Sequence, residues 1–168
     1  MKLEVFFDYA CPYCERGYDL LTELLPDFPG IEAEWIPCEA HPRPETHGLH
    51  SDLCARGMYQ AEEQGVDIAG YHKIMYRACI HDHVNIEDLD VIADLVRDVT
   101  DRTAYYEGLK QGNYRDRLAD NNNRAWGLEN FPAVPSLRSG SLTLPAIPGI
   151  GLRKEEVRQF LQQAARTN

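Results

Sequence analysis

Two cysteines with Pro12 and Tyr13 between them, Cys11 and Cys14, are the residues in this chain best placed to do chemistry. They stand where a short hydrophobic run, Leu3-Glu4-Val5-Phe6-Phe7, ends at Asp8 and a helical pattern begins. That pattern is Tyr18, Leu21, Leu24 and Leu25, spaced i, i+3, i+6 and i+7 and stopped by Pro26 and Pro29. A Cys-x-x-Cys at a strand-to-helix turn puts its first sulfur at a helix N-terminus, where unpaired N–H groups and the macrodipole favour a thiolate. The second sulfur lies one turn inside the helix, within disulfide reach of the first, so the pair reads as a reversible redox couple. Two other readings exist: half of a zinc site, which needs further ligands at matched spacing, or two buried apolar thiols. There is no second Cys-x-x-Cys. Pro12 argues against both alternatives, because it suits the first helical position and so holds Cys11 at the N-cap.

These sulfurs need a scaffold. The first stretch reads strand, helix, strand, the second strand being Ile31 to Ile36 with mostly alternating apolar and acidic residues. Near the other end, Ser136-Leu137-Arg138 and Ser141-Leu142-Thr143-Leu144 flank a Ser139-Gly140 turn and predict a hairpin. A last helix is expected from about Arg153, with Val157, Phe160, Leu161 and Ala164 as its apolar stripe. From Glu39 to Asn130 the pattern is helical, with no convincing strand. One helix is expected around Leu49, Leu53 and Met58, and another around Tyr71, Ile74, Met75 and Ala78. A third begins with Asn85 as N-cap and Asp88 at N3, its apolar face running from Ile86 to Val99. Further turns cover Tyr105 to Leu109, ending near Gly112, and Tyr114 to Trp126, ending near Gly127. Asn121-Asn122-Asn123 reads as a frayed or polar helix face. Phe131-Pro132-Ala133-Val134-Pro135 opens the hairpin. Pro135 falls at the first residue of a strand, where proline is tolerated, and the Val134–Pro135 bond is a candidate for the cis form.

At 168 residues, 43% of them hydrophobic, the chain suffices for one compact domain with a sizeable core, or one domain carrying an insertion. The formal net charge of −10 argues against a nucleic-acid partner, which demands clustered Lys and Arg. No apolar run approaches the ~20 residues of a membrane span, and no secretory pattern opens the chain. A cytoplasmic location is therefore expected if Met1 is the natural start. Cys38, Cys54 and Cys79 show no pairing pattern and are expected as free thiols. Cys38-x-x-His41 and His50-x-x-x-Cys54, with His47 between them, resemble a loose metal-ligand set. Surface histidines and buried thiols are the simpler reading, so no metal site is expected. His81-x-His83 cannot share a helix face. Asp8, Tyr9, Glu15 and Arg16 flank the motif with a net effect on its acidity that spacing leaves unsigned.

Leu3 to Leu21 with its Cys11-Pro12-Tyr13-Cys14, the long helical insertion, and Val134-Pro135 before a hairpin resemble the DsbA-like branch of the thioredoxin superfamily, with the FrnE-like cytoplasmic oxidoreductases nearest. The resemblance implies an α/β, thioredoxin-like fold with an inserted all-helical domain: residues 1–38 and 131–168 form the thioredoxin-like part, and residues 39–130 the insertion. It implies a protein-disulfide/thiol oxidoreductase acting on protein or small-thiol substrates. Cys11 and Cys14 are then catalytic, and Val134, Pro135, Pro12 and Tyr13 bind substrate. It also implies that Pro135 is cis and lies against the redox sulfurs. No resident cofactor is expected, with glutathione the candidate co-substrate. The partner is a thiol or disulfide compound, not a nucleic acid or a membrane; the oligomeric state stays open. The alternative is a glutathione-dependent isomerase or transferase of the 2-hydroxychromene-2-carboxylate isomerase or kappa-class type, whose members typically carry Ser where Cys11 stands. The stretch from Leu144 to Gly149 departs from the family's usual wording.

Overall fold

The computed structural model describes residues 1–166. A four-stranded mixed sheet has the order β2-β1-β3-β4. Strand β1 (Lys2–Phe7) lies inside it, parallel to β2 (Glu32–Pro37) and antiparallel to β3 (Ser136–Ser139), which pairs antiparallel with β4 (Leu142–Leu144). Val5 sits opposite both Trp35 and Leu137 in register. Helix α1 (Pro12–Leu24) joins β1 to β2, and α7 (Lys154–Arg166) follows β4. Leu3, Val5 and Leu137 from the sheet form one core with Leu21 and Leu24 of α1 and Val157, Phe160 and Leu161 of α7. The two apolar stripes predicted for these helices are thus the faces that bury. Each such Leu, Val or Phe is worth about 1.5–3 kcal/mol.

Between β2 and β3 the chain is helical: α2 (Asp52–Glu63), α3 (Ile68–Tyr76), α4 (Leu89–Leu95), α5 (Arg102–Gln111) and α6 (Arg115–Asn122). Helices α3 and α6 each run on into a π-helical turn, at Arg77–His81 and Asn123–Leu128. Rings from both parts of the chain weld them together. Phe7, Tyr9, Tyr18, Trp35, His72 and Tyr76 form a continuous set with centroids 4.8–6.4 Å apart. Such tilted and edge-on pairs add about 0.5–1.5 kcal/mol each beyond area burial.

Several local expectations are corrected. The cap of α4 is Asp88, whose side chain accepts from the N–H groups of Asp90 and Val91, while Asn85 makes only a turn, accepting from Glu87 N–H. Both are good capping residues, and the one followed by helical backbone wins. Val99, expected on the apolar face, is 48% exposed. Leu49 precedes α2 in a loop. Asn121 and Asn122 are not a frayed face. The buried Asn121 amide donates to the Pro37 carbonyl (2.9 Å) and to Tyr59 Oη (2.8 Å). Asn122 accepts from Glu39 N–H (2.7 Å) and donates to the Glu39 carboxylate (2.8 Å). Together they pin α6 to the end of β2. No helix among the described residues is long and apolar enough to cross a membrane.

Candidate active site

The corner that holds Cys11 and Cys14 is set by backbone. Cys11 is the N-cap of α1 and Pro12 opens the helix, so no N–H is lost from the ladder. The Cys11 carbonyl takes the N–H groups of Cys14 (3.0 Å) and Glu15 (3.3 Å), fixing the first turn. Both cysteines are free thiols, Cys11 half-buried and Cys14 buried. Their environments pull them apart. A hydrogen bond from the Cys14 side chain, reinforced by the N–H groups of Cys14 and Tyr13, lowers the Cys11 pKa against the opposing effect of burial. Burial, then the hydrogen bond to Cys11 and the charge there, push Cys14 well above the ordinary thiol value. Cys11 is thus the more acidic thiol of the pair and Cys14 the less acidic.

Asp8 braces this corner from below. Its carbonyl accepts from Cys11 N–H (3.2 Å), and its own N–H points at Cys14 Sγ (3.3 Å). Its buried carboxylate accepts from Ala10 N–H (2.9 Å) and, across the chain, from Ala40 N–H (2.8 Å). Burial raises its pKa and those hydrogen bonds oppose the rise. Spacing flagged Asp8 but left its role unsigned, because Ala40 is distant in sequence.

Val134 and Pro135 come to the same corner. The Cys11 thiol donates to the Val134 carbonyl at 3.7 Å, and the Val134–Pro135 peptide is cis. Arg43–Pro44 is also cis, and Phe131–Pro132 is not. The buried Pro135 ring packs on α1 at Gly17. A Cβ at Gly17 would lie 2.6 Å from Pro135 Cγ, so only glycine permits this approach. Nothing in the sequence singled out Gly17. Tyr13 leans outward, its hydroxyl donating to the Gly149 carbonyl (3.0 Å) and its ring lying under Arg16, 4.7 Å from the guanidinium. Pro12 is exposed beside it. One residue beyond Cys14, Glu15 meets His81 Nε2 at 2.7 Å, tying α1 to the π-helical turn after α3. No sequence signal placed a histidine there.

An open groove of about 550 Å³ runs past Cys11, lined by Tyr13, Trp126, Pro132, Val134 and Pro148. Trp126 is held by an indole N–H donated to the Glu39 carbonyl (2.9 Å). Glu39 also faces the groove; burial raises its pKa while Asn122 opposes that. A larger cleft of about 650 Å³, bounded by Lys2, Trp35, Tyr59 and Arg117, contains neither redox cysteine. The remaining thiols lie elsewhere. Cys38 is buried, donating to the Phe7 carbonyl (3.4 Å), and Cys54 and Cys79 face each other, sulfurs 3.9 Å apart. Of the ligand set suggested by spacing, Cys38 and Cys54 are in separate contacts, and His50 bonds the His41 carbonyl.

Comparison with known proteins bears on the same corner and its scaffold. Residues 2–131 match the model of the DSBA-like thioredoxin domain family. Protein YwbO of Bacillus subtilis (strain 168), itself uncharacterized, is 24% identical over 184 residues, spanning 89% of this chain and 92% of its own. The probable DsbA oxidoreductase SCO1869 from Streptomyces coelicolor has a TM-score of 0.84 at 17% identity, covering 100% of this chain and 91% of its own. The cytosolic disulfide reductase DsbM from Pseudomonas aeruginosa has a TM-score of 0.73 at 15% identity, with both chains covered in full. The sheet, the capping helices and the Cys11 corner are therefore those of a thioredoxin-like fold, and the chain belongs to the DSBA-like thioredoxin domain family.

Proposed function

We propose that this protein is a thiol–disulfide oxidoreductase whose Cys11–Cys14 couple exchanges with protein or small-thiol substrates in the groove beside Val134. The observation that carries the reading is the asymmetry at one helix terminus: a half-buried Cys11 with lowered pKa next to a buried Cys14 with raised pKa. In the reducing direction the Cys11 thiolate attacks one sulfur of a substrate disulfide. The substrate S–S bond breaks, one thiolate leaves, and a mixed disulfide remains. Cys14 then loses its proton and attacks Cys11 Sγ; the second substrate thiolate leaves and the Cys11–Cys14 disulfide forms. The oxidising direction is the reverse, and the direction followed depends on the potential of the couple against its surroundings.

The geometry also times the second step. Charge on Cys11 helps to hold the proton on Cys14. Once Cys11 is bound in a mixed disulfide that charge is gone, so the Cys14 pKa falls just when its thiolate is needed. Val134 and Pro135 line up an extended substrate segment, and Pro12 and Tyr13 flank it. Glutathione is the small thiol that resets the couple, and no resident cofactor is required. Within the family, the Cys-Pro-Tyr-Cys wording and the helical insertion support the FrnE-like branch. Three free thiols outside the couple, and likeness to a reductase described as cytosolic, support a cytoplasmic setting.

The test is capture. With a peptide carrying one disulfide, Cys14→Ser accumulates an adduct on Cys11 that shifts the intact mass and disappears with dithiothreitol. Cys11→Ser gives none. An adduct of equal yield in Cys11→Ser overturns the assignment, and turnover that survives in Cys14→Ser points to the glutathione-dependent isomerase instead.

A further inference from the structure

The loop between β2 and α2 gathers three side chains that neither the redox couple nor the core employs. His41 Nδ1 lies 3.0 Å from Glu45 Oε2, and His47 Nε2 lies 3.6 Å from the same oxygen. The three ligand atoms all fall within 4.8 Å of one another. The loop is shaped around His41. Its carbonyl accepts from His50 Nδ1 (2.9 Å), and Gly48, at φ +81°, brings backbone so close that a Cβ there would sit 2.4 Å from the His41 ring. The two imidazoles meet edge to face, centroids 5.3 Å apart at 72°.

A hydrogen bond accounts for one imidazole on Glu45. At 3.6 Å the His47 nitrogen is beyond hydrogen-bond distance, so it stands beside the same oxygen without being held there by such a bond. Two imidazole nitrogens and a carboxylate oxygen are the donor set of a borderline divalent cation, bound at about 2.0–2.2 Å. Around a tetrahedral ion with such bonds the ligand atoms stand roughly 3.3–3.5 Å from each other. The observed 3.0 and 3.6 Å contacts bracket that spacing. We propose that His41, Glu45 and His47 form a Zn²⁺ site, through His41 Nδ1, the Glu45 carboxylate and His47 Nε2, with a fourth position left for solvent or a ligand. This departs from the metal-free expectation drawn from spacing, which weighed Cys38, His41, His47, His50 and Cys54 and passed over Glu45. Because Glu45 also lines the groove beside Cys11, the bound ion stands at the rim of the redox site. There it cancels the Glu45 charge and offers a coordination position to a thiolate or carboxylate entering the groove.

Two neighbouring thiols such as Cys11 and Cys14 can themselves take zinc, so the experiment removes them. Calorimetric titration of Zn²⁺ into full-length Cys11→Ser/Cys14→Ser protein at about pH 7.5 should show one ion per chain. Affinity should drop at least ~10-fold in Glu45→Gln and in His47→Ala. His47 is 77% exposed, so its replacement should leave the melting temperature unchanged. Co²⁺ in place of zinc should give visible d–d bands without a thiolate charge-transfer band. Absence of binding, affinity indifferent to His47→Ala, or a thiolate band overturns the proposal. None of these outcomes bears on whether the dithiol exchanges, since that couple is absent from the protein tested.

Discussion

Two pairs of thiols sit in this chain, and only one joins a helix terminus to an open groove. Cys54 and Cys79 face each other across the helical block at 3.9 Å, close enough that proximity alone would suggest a couple. Both are buried. The hydrogen bond with Cys79, together with burial, holds the Cys54 proton on and raises its pKa well above the ordinary value. Cys11 and Cys14 also touch, but Cys11 caps a helix and opens on a groove. The Cys14 hydrogen bond and the N–H groups of the first turn then act on an accessible sulfur. Closeness supplies a partner; a helix terminus and an opening supply a nucleophile.

The comparison breaks most sharply on activity. Cys11→Ser should cut disulfide exchange by on the order of 1000-fold or more, whereas Cys54→Ser and Cys79→Ser should leave the rate constant of the folded protein within about a factor of two. A large loss in either buried variant, measured on protein with native circular dichroism, would merge the two pairs. Reactivity sharpens the same contrast. Alkylation of Cys11 by iodoacetamide should rise with pH along a curve centred below the free-thiol value of about 8.5, since its folded pKa is lowered. Cys54 and Cys79 should be modified only after unfolding, as peptide mapping would show.

The aromatic wall has its own pH signature. Burial depresses the His72 pKa to about 3, from 6.5 in an ordinary setting. Below about pH 6.5 the unfolded chain takes up a proton that the folded chain refuses, so stability is complete above that pH and is lost as pH falls towards 3, by about 1.4 kcal/mol per unit. Urea melts of wild type and His72→Gln between about pH 6.5 and 4 should show that slope reduced in the variant. An equal slope in both would assign the acid sensitivity to carboxylates.

Smaller effects follow at the contacts. Gly17→Ala gains up to ~1 kcal/mol of helix propensity, yet its Cβ would meet Pro135 at 2.6 Å. Overpacking of about 1–3 kcal/mol wins, so the variant should melt lower and exchange more slowly. Cys54→Ala, which removes one small buried sulfur, should cost only about 1 kcal/mol and leave exchange intact.

The Cys11–Cys14 part of the corner was legible in the sequence because what makes it is local: four residues, a preceding strand and a helical stripe. The same holds for the hairpin and for α7. What stayed hidden depends on distant partners. Asn121 and Asn122 read as polar surface until Pro37, Tyr59 and Glu39 arrive to meet them. His72 looks ordinary until β1, β2 and α1 enclose it. Gly17 has no signature, since the proline it admits belongs to the far end of the chain. Asn85 and Asp88 failed for the opposite reason, two equivalent local signals competing for one helix start.

The strand order carries a consequence for how the chain is made. Strand β1 finds β2 soon after leaving the ribosome, but its other neighbour, β3, is encoded after the whole helical stretch. At about 5–20 residues per second the intervening segment takes on the order of ten seconds to synthesise. Throughout that interval one edge of β1 lacks its ladder partner, and the nascent Cys11 sulfur has neither Val134 nor Pro135 beside it. The thiol emerges before the groove beside it exists, so the nascent polypeptide needs protection by its surroundings at the stage when its own fold offers none.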